Sequence, residues 1–432
     1  MSFQTAALSL ADSLASAVGM LDKPLSVRAL VATARRRTGL TAFGEVAFAD
    51  PLNRLLESCS TESSLSLVGR MATKWDVVRF LSNLLRLHAE EVRQPDILAE
   101  PIGRPIFITG LPRSGTTFLH RLMLTDPVNR APRVWETIYP YPDAGVRVDR
   151  RQARVAAQLR AFEHLAPAFR SLHPLDANSP QECSEITAHV FRSLRFDTNY
   201  QVPTYRAWLD ADVERHLPAY RFHKRFLQHL QAQDRATRGP GRWVLKCPEH
   251  LFALHAIRTV YPDARLVFVH RDPVRVLLSQ TRLTEVLRQP FTRRLDHDRI
   301  GQDESARWLA GARRMVEVGD DAGLPDPVCH VHHMDLIADP VATVEAVYRH
   351  FGEALPASAA AGIERYVAAH PNGGYGRHDY RVSDHDLDPR LERARFRPYM
   401  LRFGITAEEA GPHPHADAYP PNPTEAVEPL RG

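Results

Sequence analysis

Apolar positions change their period along this chain. Up to about residue 100 they recur at helical spacing with no strand-like run. The segment WDVVRFLSNLLRLHAEEV, from Trp75 to Val92, places them at i, i+3, i+4 and i+7. This predicts an N-terminal helical extension over residues 1–100. Its first amphipathic helix is MSFQTAALSLADSLASAVGML, which resembles the apolar stretch of a signal peptide but has no preceding basic residue and is interrupted by Asp12. From Pro105 the pattern becomes PIFITG, a short β-rich apolar run that ends in glycine, followed by a polar loop and the helix-like TTFLHRLMLTD. The same order returns at WVLK (243–246) before EHLFALHAIRTVY and at RLVFVH (265–270) before PVRVLLSQTRLTEVL. It returns once more at VCHVHHMDL before ADPVATVEAVYRHFG, where Gly352 suits a helix C-terminus. Strands that are apolar nearly throughout, alternating with helices, imply a parallel sheet covered on both faces. The expected fold class is α/β, a P-loop-like parallel β-sheet flanked by helices within a domain over residues 101–410.

Between the first two strand units lies an insertion, about residues 130–240, of mainly helical patterning with aromatic residues such as Trp135, Tyr139, Tyr200, Tyr205 and Trp208. Insertions of this kind usually build the substrate side of a site whose cofactor side sits at the strand ends. Residues 411–432 are Pro-rich and poor in bulky apolar side chains, as expected of a flexible tail. The 432 residues are 44% hydrophobic and 25% charged, an ordinary globular composition. With 55 Lys+Arg against 51 Asp+Glu, the net charge of +4 implies no whole-surface attraction to nucleic acid, so any anion site must be local. Cys59, Cys183, Cys247 and Cys329 stand far apart, without zinc-site spacing, which fits reduced thiols in a cytoplasmic protein. No stretch approaches the roughly 18 uncharged apolar residues of a spanning helix.

The chemistry concentrates in Gly110-Leu111-Pro112-Arg113-Ser114-Gly115-Thr116-Thr117, between a predicted strand and a predicted helix. A glycine-containing loop in that context presents backbone N–H groups to a phosphate. Compared with the nucleotide-hydrolase loop G-x-x-x-x-G-K-[ST], the spacing is kept but Thr116 replaces the lysine, which weighs against an NTPase or kinase. Arg113 is the cation inside the loop, able to neutralise charge on a leaving group. A second anchor is His270-Arg271-Asp272-Pro273 with Ser279, eight residues after the arginine. Together Arg271 and Ser279 can hold one more phosphate, although an arginine at a strand end is more often a salt-bridge partner.

PIFITGLPRSGTTFLH resembles the 5′-phosphosulfate loop of sulfotransferases that use 3′-phosphoadenosine 5′-phosphosulfate (PAPS), and RLVFVHRDPVRVLLSQ resembles their 3′-phosphate motif. The likeness is to the bacterial branch with an N-terminal helical extension. It extends over APRVWETIYP, SPQECSEI, YRAWL and WVLKCPEH, covering most of residues 30–405. The resemblance implies that Arg113, Ser114, Gly115, Thr116 and Thr117 bind the 5′-phosphosulfate, that Arg271 and Ser279 bind the 3′-phosphate, and that no metal is required. Two departures stand out. The catalytic histidine of the cytosolic phenol and steroid sulfotransferases would fall near Pro248, which cannot act as a base. The C-terminal loop GGYGRHDYRVSDHDL keeps Arg377, a nucleotide contact by resemblance, but loses the Phe-Gly-Leu-like step.

Sulfuryl transfer needs in-line positioning, charge stabilisation on the leaving phosphate and a base for the attacking hydroxyl. Glu136 is the first candidate base, because carboxylate-using sulfotransferases resemble this chain there; the alternative is a helix-capping glutamate. His250 is the second, at the carboxyl end of a strand, although a lone histidine beginning a helix is more often structural. Lys246 is expected to donate to the transferring sulfuryl group or the 5′-phosphate. Glu182, Glu185 and His189 share a helix face at i, i+3 and i+7, and Ser179-Pro180-Gln181-Glu182 reads as a capping box. Glu182 is thus expected to cap and Glu185 to contact the acceptor, with Glu185 a further candidate base. The expected function is PAPS-dependent sulfuryl transfer to a hydroxyl of a small, apolar acceptor. The alternatives are a P-loop kinase or phosphotransferase, or a non-catalytic nucleotide-binding protein. Expected partners are a small-molecule acceptor, with no nucleic acid and no integral membrane association, and with peripheral membrane contact only where the acceptor is lipidic.

Overall fold

The computed structural model describes residues 12–408 apart from 18, 20, 22, 144, 146, 147, 240 and 371–386. Five strands form its sheet: β1 (Ile106–Gly110), β2 (Asn129–Arg130), β3 (Arg242–Lys246), β4 (Arg265–His270) and β5 (Cys329–His332). They lie in the order β2-β3-β1-β4-β5, with every neighbouring pair parallel.

Every residue of β1 and β4 is buried, which explains why these segments read as unbroken apolar runs. Successive side chains serve opposite cores. Phe107, Leu245, Leu266 and Phe268 enter one that also holds Leu30, Leu52, Phe80 and Leu84. The N-terminal helices Val27–Thr38, Ala49–Thr61 and Leu67–Arg93 thus share the hydrophobic core on one face of the sheet. Ile106, Ile108, Val267 and Val269 enter the other core, with Leu119 and Leu122 of the helix Thr116–Met123 and Val344 and Val347 of the helix Pro340–His350. Each such side chain stabilises the fold by about 1.5–3 kcal/mol. Ends are set locally: Asp339 caps Pro340–His350 by accepting from Ala342 N at 2.9 Å, and Gly352, in the left-handed region at φ 72°, stops it.

The structure refines the pattern in three places. The strand β2 is a two-residue edge, too short for any period to show. EHLFALHAIRTVY opens as a 3-10 turn, Pro248–Phe252, before the helix Leu254–Val260. In VCHVHHMDL the strand stops at His332, and His333 already begins the helix His333–Ala338. The insertion consists of helices, the longest being Arg151–Leu165 and Leu217–Arg238. No described helix is long and apolar enough to cross a membrane.

Two features of this sheet place the site. The register pairs Ile108 with Lys246 and Gly110 with Val269, so the carboxyl ends of β3, β1 and β4 emerge side by side. The chain leaves β1 toward the β2–β3 side and leaves β4 toward β5, so the connections diverge between β1 and β4. That divergence opens a crevice where ligands of open α/β sheets bind.

Candidate active site

Gly110 closes β1 with φ 150°, and a Cβ there would come within 2.3 Å of the Val269 carbonyl oxygen, so β1 and β4 can approach only through glycine. The loop then passes through Arg113, a non-glycine residue in the left-handed region at φ 60°, and Gly115 at φ 97°. Holding an arginine there costs on the order of 1–3 kcal/mol, a strain that collects at functional loops. Gly115 is the N-cap of the helix Thr116–Met123, and no side chain caps that end. The first-turn N–H groups, carried by Thr116 and Thr117 among others, thus face the loop at the positive end of the helix. Ser114 Oγ is fully buried and has no hydrogen-bond partner among the described residues. A buried hydroxyl left unpaired costs about 1–3 kcal/mol, relieved once an acceptor oxygen enters. Gly110, the uncapped helix and the orphaned Ser114 together form a cradle suited to an anion.

The two predicted anchors meet here. Arg113 Nε donates to Ser279 Oγ at 3.0 Å, and Arg271 NH1 donates to the Arg113 carbonyl oxygen at 2.9 Å. Arg271 also grips Glu408, its Nε and NH2 each donating at 2.9 Å to one oxygen of that carboxylate. Asp272, which caps the helix Pro273–Arg288 through Val274 N, accepts in addition from Glu408 N at 2.8 Å. Arg377 lies outside the described residues.

A third element comes from β3 and the insertion. Lys246, its side chain only 2% exposed, forms an ion pair with Glu182. Burial alone would raise the Glu182 carboxyl, but the Lys246 charge and hydrogen bond outweigh it and hold Glu182 below the usual carboxylate range. His173 lies in the same field: burial lowers it to about 4, with Glu182 acting against that and Lys246, Arg113 and Arg121 adding to it. His120, on the phosphate-loop helix, is fully buried, and its Nε2–H donates to the Val244 carbonyl at 3.0 Å. That bond fixes the tautomer and leaves Nδ1 as an acceptor without a partner among the described residues. Where a nucleotide-hydrolase loop carries a lysine this loop has Thr116, and the cations beside it are Arg113 within the loop and Lys246 at the end of the neighbouring strand β3.

The other expected positions make the following contacts. Glu136 sits in the short helix Val134–Ile138, and its Oε2 accepts from the N-cap backbone, Arg133 N, at 2.8 Å. Its charged neighbours are Arg133, Asp234 and Arg130. His250 is fully buried, hydrogen-bonded to the Tyr220 hydroxyl and edge-on to Phe107, and burial drives it well below the usual histidine range. That environment holds the Nδ1 side of the ring in the core, while Nε2 has no hydrogen-bond partner among the described residues. The capping box read at Ser179 to Glu182 does not form. Ser179 Oγ donates to Asp176 Oδ2 at 2.9 Å, and Glu182, at the N-cap of Cys183–Thr187, makes no side-chain cap bond. Glu185 joins a buried charge cluster, pairing with Arg79 at 2.7 Å and Arg195 at 3.0 Å, while Asp76 binds both arginines. His189 lies beyond it in the core, its Nδ1 on the Glu185 carbonyl at 3.0 Å. The sequence pattern did not single out Glu182 or Glu408 for charge pairing. The one signal for Glu182 was its place in SPQECSEI.

Residues 105–357, which carry the loop, Glu182, Lys246 and Arg271, match the sulfotransferase family. The chain belongs to that family. Among solved structures it is similar to sulfotransferase STF1 of Mycobacterium tuberculosis H37Rv, with 29% identity and a TM-score of 0.73 over 87% of this chain and 99% of that one. It is likewise similar to sulfotransferase STF9 of Mycobacterium avium, with 26% identity and a TM-score of 0.76 over 88% and 97%. The omega-hydroxy-beta-dihydromenaquinone-9 sulfotransferase Stf3 of Mycobacterium bovis is 25% identical over 308 residues, 67% of this chain and 71% of that protein. These sulfotransferase relatives support a sulfuryl-transferring enzyme on a bacterial sulfotransferase fold.

Proposed function

We propose that the protein transfers a sulfuryl group from PAPS to the hydroxyl of a small, apolar acceptor, without a metal ion. The observation that supports this reading is the anion cradle itself, an uncapped helix start at Gly115 beside the buried, unpaired Ser114 hydroxyl, with Arg113 in the loop and the Lys246–Glu182 pair at the end of the adjoining strand. Arg113, Ser114, Gly115, Thr116 and Thr117 would hold the 5′-phosphosulfate, and Arg271 and Ser279 the 3′-phosphate, with Arg377 a further nucleotide contact. Bound there, the donor supplies a sulfuryl group on a phosphate leaving group: the acceptor oxygen bonds to sulfur as the bond from sulfur to the bridging phosphate oxygen breaks. Arg113 and Lys246 neutralise the charge left on that phosphate. We place the general base at Glu182 in preference to Glu136, His250 or Glu185, whose side chains are committed to a cap, an aromatic core and a buried charge cluster. Sharing the Lys246 ammonium with a phosphate weakens its hold on Glu182, which raises the basicity of that carboxylate as the acceptor proton must leave.

The name of the Stf3 relative, an omega-hydroxy-dihydromenaquinone sulfotransferase, supports a hydroxyl carried on an apolar body as the acceptor class. The aromatic residues of the insertion do not add to this, since Tyr139, Tyr200 and Tyr205 are buried in the hydrophobic cores. The test is a thermal-shift comparison of 3′,5′-adenosine bisphosphate with ATP, GTP and AMP, with and without magnesium. It is followed by mass-spectrometric detection of sulfated product from PAPS and a panel of apolar alcohols. A ligand at about 100 times its Kd stabilises the native state by about 2.7 kcal/mol. A magnesium-independent shift specific to the bisphosphate, abolished in Arg113→Ala together with turnover, is the expected result. A magnesium-dependent shift with ATP or GTP alone would replace this reading with a kinase.

A further inference from the structure

Each nitrogen of the Arg271 guanidinium makes a hydrogen bond. Its NH1 is tied to the Arg113 carbonyl, and its fork edge, Nε and NH2, binds both oxygens of Glu408 at 2.9 Å. That edge is the one an arginine offers, with the same two-point geometry, to either a carboxylate or a phosphate. We infer that Glu408 is an internal competitor of the donor's 3′-phosphate, a carboxylate from the chain itself that the 3′-phosphate must displace from Arg271; this rests on the donor reading above.

Three observations carry it. The Glu408 backbone is pinned beside the site by its N–H on Asp272 at 2.8 Å, so the carboxylate is delivered to Arg271 by a segment already docked there. The pair is partly open to solvent, with Arg271 21% and Glu408 16% exposed. A dianionic phosphate offers the same fork edge two oxygens and a greater charge than the carboxylate, so it can replace Glu408 there. The contact is also specific in position: Glu408 holds the Arg271 fork edge, and no hydrogen bond ties it to Ser114 or Gly115 among the described residues, so a nucleotide with only a 5′-phosphate is expected to bind without moving it. A ligand that must first open the pair binds with its affinity reduced by the fraction of molecules already open.

Titration calorimetry of the wild-type protein and Glu408→Gln, each with 3′,5′-adenosine bisphosphate and with AMP, tests this. The glutamine keeps the backbone contact to Asp272 but loses the charge-assisted grip on the fork edge. The expected result is bisphosphate binding tightened roughly three- to tenfold in the variant, with AMP affinity unchanged. In the wild-type protein, hydrogen exchange over residues 404–408 should accelerate on saturation with bisphosphate and stay constant with AMP. Unchanged or weaker bisphosphate binding in the variant, while the wild type binds, would overturn the inference and leave the donor reading standing. An equal gain for both nucleotides would overturn it as well, since a general loss of negative charge explains that. Bisphosphate binding to neither protein would remove the donor reading and the inference with it.

Discussion

Lys246 and Glu182 meet as an ion pair although 64 positions separate them in the chain. Lys246 is the last residue of β3, held by its register opposite Ile108, and Glu182 stands at the N-cap of a short helix in the insertion. The pair therefore joins the strand end beside the phosphate loop to the insertion, and in the proposed reaction its carboxylate takes the acceptor proton. Glu182→Gln should lower kcat by roughly 10²–10⁴, the usual worth of a positioned base, while bisphosphate affinity stays within about twofold. Turnover of the variant near the wild-type rate would remove Glu182 from the chemistry.

Lys246→Met should act on both partners. The methionine fills the buried channel of the lysine stem, but Glu182 loses the charge that holds it below the usual range, and its protonation midpoint rises. The expected cost is roughly 2–3 kcal/mol in urea denaturation, less than the ~3–5 of a fully enclosed pair because Glu182 keeps some solvent contact. Stability should recover partly in the double variant Lys246→Met, Glu182→Gln, where no unpaired charge remains; a purely additive double variant would show that the two side chains act independently.

Glu136→Gln separates scaffold from chemistry. Its carboxylate accepts the Arg133 backbone N–H, so the variant should lose about 0.5–1 kcal/mol of stability and keep its kcat. A loss of turnover with the Tm unchanged would move the base from Glu182 to Glu136.

The strands and the loop were legible because their physics is local. A strand covered on both faces must be apolar along its length, and PIFITG, RLVFVH and WVLK are; the loop needs Gly110 and Gly115 for backbone reasons that single residues display. Charge partners were not legible, since they are fixed by contacts far apart in sequence. Glu182 read as a cap because Ser179 and Pro180 precede it, and nothing in its own segment shows that Asp176 satisfies Ser179 while Lys246 draws Glu182 away. His250 reads as a strand-end histidine until Tyr220, thirty positions upstream, encloses it. Arg271 shows both alternatives at once, since the residue that resembles a phosphate ligand is found in a salt bridge with Glu408.

The residue beside the proline that stands where a catalytic histidine would fall carries a last prediction. Glu249 accepts from Ser193 Oγ at 3.1 Å and Leu194 N at 3.0 Å, yet burial, only partly offset by Arg307 and the Ser193 bond, pushes its carboxyl up to about 7. A carboxyl whose folded value lies above its unfolded value favours the fold in its protonated form. Its contribution is fully present below the ordinary value near 4.5 and is lost as pH rises through about 7. Wild-type Tm should therefore fall between pH 5 and pH 8 relative to Glu249→Gln, whose neutral amide can still accept from Ser193 and Leu194. Parallel pH profiles for the two proteins would show that Glu249 is already ionised in the fold across that window, with Arg307 and its hydrogen bonds outweighing its burial.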